Sequence, residues 1–264
     1  MKYLIVTGAA GGMGRSAAVR LAEMGYTVFA LDRRVTDWNI SRVIPIVVDV
    51  TDEGSVQAAF EEIKKHTDSL YGILHFAGIY MLDSLVEMGA EEFDRIFRVN
   101  LFGAFLINKI FLPMLEKGSR IVITTSELAP LHPLPFTGVY AVSKAALDRY
   151  AYSLRMELQL RGIFVSVLRA GAVDTGMLTV STDALDRFCK KTELYACNST
   201  RFKKIVDGVE AKKISTDRLA DRAIGILEKK RPKFAYAINR NPLLRLFEIL
   251  PDRMRFWVIR QILK

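Results

Sequence analysis

Apolar residues along the chain fall into two alternating patterns: short β-branched runs, and longer stretches in which they recur every three or four positions. Tyr3–Thr7, Thr27–Leu31, Ile44–Val48, Gly72–Phe76, Arg120–Thr125, Ile163–Leu168 and Phe234–Ile238 read as strands. Several are apolar at every position, as strands covered on both faces must be. Met13–Met24, Ser55–Lys65, Glu91–Leu115 and Val139–Leu160 carry the helical spacing. Strand and helix in strict alternation predict an α/β protein whose parallel, doubly wound sheet has helices on both faces. Gly176–Ser215 breaks the alternation with weakly patterned, aromatic-containing sequence, and an insertion so late in such a domain usually lies over a ligand site. Residues 1–240 are therefore expected to form one domain, with 241–264 as an extension.

A chain of 264 residues, half of them apolar and a quarter charged, can bury a large core, which excludes a disordered chain. The net charge of +9 is local: Lys229–Lys264 holds ten basic and two acidic residues, and the rest is nearly neutral. This argues against a nucleic-acid groove and for a single basic tail. The apolar start Tyr3–Val6 is cut short by glycines, and no run approaches the ~18 apolar residues of a spanning helix, so neither a secretory signal nor a membrane span is expected. Two cysteines, Cys189 and Cys197, are too few for a disulfide framework; free thiols in a cytoplasmic setting are the expectation. His66, His75 and His132 lack ligand spacing, and no metal is expected.

The first strand runs into Thr7-Gly8-Ala9-Ala10-Gly11-Gly12-Met13-Gly14, where a helix opens. Glycines let the backbone turn tightly and approach a pyrophosphate, whose charge the helix N-terminus favours. Asp32 closes the second strand 20 residues after Gly12, placed to accept hydrogen bonds from the adenosine ribose and to repel a 2′-phosphate. NAD is expected over NADP, against the pull of the adjacent Arg33 and Arg34. Asp49 and Val50, closing the third strand, are placed to meet the adenine, although an Asp before a helix is as often a cap.

Thr7-Gly8-x-x-x-Gly12-x-Gly14, the pair Ala77-Gly78, Asn100, Ser126 and Tyr140-x-x-x-Lys144 occur in the order and approximate spacing of the short-chain dehydrogenase/reductase family, which the chain resembles over about residues 1–240. The resemblance implies a Rossmann-like sheet of about seven strands, a nicotinamide cofactor and alcohol/carbonyl interconversion. It implies a catalytic set of Asn100, Ser126, Tyr140 and Lys144. For the cofactor it implies Gly8, Gly11, Gly12, Met13, Gly14, Asp32, Arg33, Asp49, Val50, Ala77, Gly78, Tyr140, Lys144, Gly171, Val173 and Thr175. It further implies a homodimer or homotetramer formed through the helices holding Asn100 and Tyr140.

The chemistry is consistent with those roles. A phenol of pKa ~10 is a poor base at neutral pH. Lys144 lies one helical turn beyond Tyr140, where its ammonium would favour the phenolate and hold the nicotinamide ribose. Ser126 would hydrogen-bond the substrate oxygen; its neighbour Thr125 points to the opposite face of the strand. Asn100, a poor helix former inside Glu91–Leu115, joins a proton relay by resemblance or is a helix-surface amide. Two departures from the family pattern stand out: His75-Phe76-Ala77-Gly78 replaces Asn-Asn-Ala-Gly, and Ala170-Gly171 replaces Pro-Gly. His75 reads as a hydrogen-bonding core residue.

Between Ser126 and Tyr140 the segment is stiff and apolar, with three prolines, and the insertion adds Met177, Leu178, Phe188, Tyr195 and Phe202 as lid candidates. Each of these fits plain packing equally well. Together they suggest a small lipophilic alcohol or ketone and a resemblance to the hydroxysteroid and retinol dehydrogenase branch. A dinucleotide-sensing protein would have lost Tyr140 or Lys144; a membrane-surface scaffold would need only the tail. In that tail Arg253, Arg260 and Lys264 share one helical arc, and Met254, Val258, Ile259, Ile262 and Leu263 fill much of the rest, interrupted by Arg255. The two expectations for it are weak peripheral membrane association and packing on its own domain.

Overall fold

The computed structural model describes residues 2–34, 37–174, 176–208 and 213–264, with the side chains of 176–182 and 207–208 outside the description. Seven strands form one parallel sheet: β1 (Tyr3–Thr7), β2 (Thr27–Asp32), β3 (Val43–Val47), β4 (Leu70–His75), β5 (Leu115–Ser126), β6 (Phe164–Ala170) and β9 (Ala235–Ile238). Their order is β3-β2-β1-β4-β5-β6-β9, a Rossmann-like, doubly wound arrangement that reverses direction between β1 and β4. A two-stranded ribbon of β7 (Val173–Asp174) and β8 (Ile214–Ser215) lies apart from it.

Successive residues of a strand point to opposite faces, so β1 feeds two cores at once. Leu4 and Val6 pack with Ala17, Ala18 and Leu21 of α1 (Gly12–Glu23) and with Leu219 and Ala223 of α8 (Thr216–Leu227). Ile5 faces the other way, toward Val56 and Ile63 of α2 (Glu53–Lys64), Ile107 and Phe111 of α4 (Gly103–Phe111) and Leu147 of α5 (Gly138–Leu158). A third, smaller cluster holds Leu82, Leu185, Phe188, Phe202 and Leu263. It joins α6 (Gly176–Lys191) and α7 (Ala196–Gly208) to the last helix, α10 (Asp252–Leu263), which follows α9 (Pro242–Glu248). The segment read as weakly patterned is thus mostly helical, and its Ala184, Leu185, Phe188 and Phe202 face a core of their own.

The long helix predicted over Glu91–Leu115 divides. It runs as α3 (Ala90–Phe97), a π-helical turn (Arg98–Phe102), α4 and a short 3-10 turn (Leu112–Met114), and Leu115 already opens β5. By length and composition Ala90–Met114 could cross a membrane, contrary to the expectation of no such stretch. Half of its most apolar window is buried inside the protein, and it carries the buried Asn100 and Asn108, as a core helix does. The π turn falls on Asn100, where the extra residue re-aims the side chain inward.

Candidate active site

Parallel register carries Thr7, Asp32, His75, Ser126, Ala170 and Ile238 to the same edge of the sheet, where the strand order reverses. There Gly8 adopts φ of 68°, and a Cβ on it would lie 2.6 Å from Ala77 N; a Cβ on Gly14 would lie 2.3 Å from Gly8 O. Only glycine fits either position. α1 begins after Gly11 with no side-chain cap and no acid in its first turn. By contrast, Asp52, Ser215 and Asn241 cap α2, α8 and α9. The uncapped amides of α1 leave a cradle suited to a pyrophosphate.

Asp32 borders the cradle: Oδ2 accepts from Ala10 N at 3.0 Å and Oδ1 from Arg34 N at 3.1 Å. The Arg33 guanidinium is drawn to Asp49, 3.9 Å away. Burial works against the charge of Asp49, but hydrogen bonds from the Thr51 amide and hydroxyl, with Arg33 beside it, hold its pKa below the ordinary carboxylate value. Asp52, not Asp49, caps α2. Val50 is buried against Gly103. Met13, Gly78, Gly171 and Val173 line the same cavity as Tyr140 and Lys144, whereas Thr175 lies outside the described residues. The residues present fit a dinucleotide, with the glycine turn at its phosphates and Asp32 at its ribose.

Ser126 ends β5, and Tyr140 and Lys144 stand one turn apart near the start of α5. The Ser126 hydroxyl hydrogen-bonds the Tyr140 phenol. Lys144 Nζ donates to Thr124 O at 3.3 Å and lies 5.9 Å from the Tyr140 ring centroid. Asn100, 1% exposed, accepts from Ile79 N at 2.8 Å and donates to Ile79 O and to Ser143 Oγ. It is therefore not a helix-surface amide. A Cβ on Gly78 would lie 3.2 Å from Asn100 Oδ1 and 3.3 Å from Lys144 Nζ, so Gly78 brings these two groups together.

The electrostatics depart from the sequence argument. Burial, with the Tyr80 ring 4.8 Å away, pushes the Tyr140 phenol up, and the Ser126 hydrogen bond only partly opposes this. Burial also pushes Lys144 down to about 8. Desolvation penalises the charged form of both, and with Lys144 directed at a carbonyl it outweighs the attraction expected between ammonium and phenolate. His75 is the core residue expected: Nε2 pairs with Asn108 Oδ1 at 3.0 Å, and burial lowers its pKa to about 4.

A cavity of about 570 Å³ opens from Ser126 and Tyr140 between Tyr80, Leu82, Leu134 and Phe202. Of the lid candidates, Phe202 lines it, but Phe188 and Tyr195 pack on Phe136 at 4.6 and 5.4 Å instead. Met177 and Leu178 fall among the undescribed side chains. Sequence reasoning missed Tyr80, Glu127 and the α9 and α10 side chains Leu243, Phe247, Val258 and Ile262, all of which line the cavity. Glu127 was visible only as a charge directly after Ser126. Its carboxylate accepts from Asn241 N at 2.6 Å, and burial raises its pKa. At Gly171, directly after the Ala170 that replaces the proline, a Cβ would lie 1.8 Å from Asn239 O, so the β9–α9 connection packs directly on this loop.

A glycine-cradled dinucleotide site beside a Ser-Tyr-Lys cluster on a doubly wound sheet defines a nicotinamide-dependent oxidoreductase. The chain belongs to the short-chain dehydrogenase family, whose sequence profile matches residues 2–186. It is 27% identical to the 3-ketodihydrosphingosine reductase of Bacteroides thetaiotaomicron, over 98% of this chain and 97% of that protein. It is 30% identical to the NADPH-dependent 1-acyldihydroxyacetone phosphate reductase of Schizosaccharomyces pombe, over 66% of this chain and 60% of that one. The crystal structure of a short chain dehydrogenase family protein from Francisella tularensis shares the fold, with a TM-score of 0.75 at 20% identity over 90% of this chain and 97% of that one.

Proposed function

We propose that the protein reduces the ketone of a lipophilic, long-chain molecule to a secondary alcohol, with NADH preferred. The observation that carries this reading is the opening of the Ser126–Tyr140–Lys144 cluster into a cavity of about 570 Å³ with a largely apolar lining. The cofactor, when bound, supplies the hydride. Ser126 orients the carbonyl oxygen by donating a hydrogen bond, and Tyr140 delivers the proton that completes the hydroxyl. A phenol held protonated by burial is suited to give that proton, which supports the reductive direction. Lys144, positioned by its hydrogen bond to Thr124 O, would hold the ribose and recharge the phenol. Asp32 supports the choice of NAD, against the two arginines and the NADPH dependence named for the fission-yeast relative.

Among lipophilic ketones, the full-length relative favours a long-chain amino ketone over a steroid or retinoid. 3-Ketodihydrosphingosine carries an amine beside its ketone, and Glu127 offers a partly buried carboxylate in the same cavity. Homodimers or tetramers would form through the helical stretch that holds Asn100 and through α5, which expose Phe102, Phe105, Val142 and Tyr152. The test is steady-state reduction of 2-ketones and 3-ketones of increasing chain length with NADH and NADPH. kcat/KM should rise with chain length; a preference for sugars or short polar ketones rejects the reading.

A further inference from the structure

The two C-terminal helices are sided. On α10, Arg255 is buried and turned toward the protein, where it meets Glu248 at 3.3 Å, His132 at 2.6 Å and Asp252. This one arginine takes both acidic side chains of residues 241–264. On the same side, Val258, Ile259 and Ile262 line the cavity. The opposite stripe of α10 is Arg253, Trp257, Arg260 and Lys264, at spacings of four, three and four, and all are exposed. α9 behaves alike: Leu244 and Phe247 line the cavity, while Leu246 and Ile249 face outward, Ile249 at 78% exposure and Arg245 beside them.

The outer face therefore combines Leu246, Ile249 and Trp257 with cations that, among the described residues, have no acidic partner. It is also continuous with the cavity. Ile205 of α7, Leu243 of α9 and Ile262 of α10 are exposed and line the cavity, so they form its rim. A tryptophan set among cations, next to outward aliphatic side chains, matches the headgroup level of a bilayer. A second copy of this surface would bring like charges together. An anionic protein or a nucleic acid would leave Leu246 and Ile249 without an apolar partner. Lipid with negative headgroups satisfies both components.

We propose that the outer face of α9 and α10 docks on an anionic lipid bilayer and sets the cavity mouth against the lipid, so that substrate enters from the membrane. The route of entry rests on the reading of a lipophilic ketone substrate; the docking does not. It refines the expectation of weak peripheral membrane association through a basic amphipathic tail. Val258, Ile259 and Ile262 face the cavity, and the contact is made by the Arg253–Trp257–Arg260–Lys264 stripe and the outer residues of α9.

Co-sedimentation of the full chain with phosphatidylcholine vesicles, with and without phosphatidylglycerol, tests the docking. Binding is expected to the mixed vesicles only and to weaken as salt rises. Arg253→Glu changes two charge units at the surface, and at about 1 kcal/mol per charge the partition coefficient should fall about 30-fold. Ile249→Asp and Trp257→Asp should also detach the protein. None of these three residues lines the cavity, so turnover of a short water-soluble ketone should be unchanged. The docking is overturned if the parent chain ignores anionic vesicles at low salt, if the variants bind as the parent does, or if Trp257→Asp splits an oligomer that never bound vesicles. Vesicle binding without reduction of any ketone would instead fault the substrate reading alone.

Discussion

The two ends of the cavity are built by different means. At the cofactor end the recognising groups are mainly backbone: the uncapped amides of α1, the turn at Gly8 and the close approach to Gly14, with the Asp32 carboxylate bordering the cradle. These features come from contiguous sequence and from strands held by ladder hydrogen bonds. At the substrate end the walls are side chains from segments far apart in the chain: Tyr80 and Leu82 after β4, Leu134 before α5, Leu185 in α6, Phe202 and Ile205 in α7, Leu243 and Phe247 in α9, and Ile259 and Ile262 in α10. The small third cluster around Phe188 and Phe202, distinct from the two sheet cores, anchors the walls supplied by α6, α7 and α10. The cofactor end should tolerate little change and bind one class of ligand. The substrate end can be altered one side chain at a time with graded effects.

The largest effect belongs to the seam between the ends. Tyr140→Phe removes the proton donor while sparing the cradle, so turnover should fall by ~10²–10⁴-fold, with NADH affinity retained by fluorescence titration. Lys144→Ala, at the same seam, should lower both turnover and cofactor affinity. A Tyr140→Phe enzyme of near-parent rate would dissolve the distinction between the two ends, because the proton would then come from elsewhere.

The next effect concerns stability at the cofactor edge. His75 has a pKa near 4 in the folded chain against 6.5 unfolded, so the unfolded state binds more protons between those values. Its contribution is complete above pH 6.5 and is lost as the pH falls toward 4, on the order of 3 kcal/mol. Denaturant titrations at several pH values should show this slope, and His75→Asn, which restores the family's residue, should flatten it. An unchanged slope in the variant would assign the acid sensitivity to other groups.

The same contrast decides what could be read from the sequence. All seven strands of the main sheet, the glycine turn, Asp32 and the Ser-Tyr-Lys order were legible, because each depends on local spacing or on the end of a strand. Asn100 was legible by type but not by place: a π turn leaves no periodic signature, and its partners Ile79 and Ser143 are remote in sequence. The direction of the Tyr140 shift was hidden because burial, its largest cause, depends on what the fold packs around the phenol, with Tyr80 a second and smaller cause. The cavity walls in α9 and α10 were hidden because their apolar periodicity fits packing against the chain as well as against a membrane. Phe188 and Phe202 lie in one segment and both join the third core, and only tertiary packing turned Phe202 to the cavity as well.

Asp32 tests the cofactor end directly. Removing a carboxylate that borders the cradle should weaken NADH about tenfold, the loss of one or two charge-assisted hydrogen bonds, and should relieve repulsion of the 2′-phosphate. Titration of Asp32→Ala with both cofactors should narrow or reverse the preference. A parent enzyme that already favours NADPH would mean that Arg33 and Arg34 govern the adenosine end.

Glu127 should show the smallest effect and is the sharper probe of the substrate end. Burial costs its carboxylate, and within the cavity it is held by one backbone amide and the field of Arg240. A substrate ammonium beside the ketone would relieve that cost. Because Glu127 is only partly buried, solvent screens the pair, and the gain is about 1 kcal/mol, or roughly fivefold in kcat/KM. Glu127→Gln keeps the shape and removes the charge. It should lower kcat/KM for a long-chain 2-amino-3-ketone about fivefold and leave the corresponding deaminated ketone unchanged. Equal losses on both substrates would make Glu127 a tie between β5 and the β9–α9 connection, with no part in choosing the substrate.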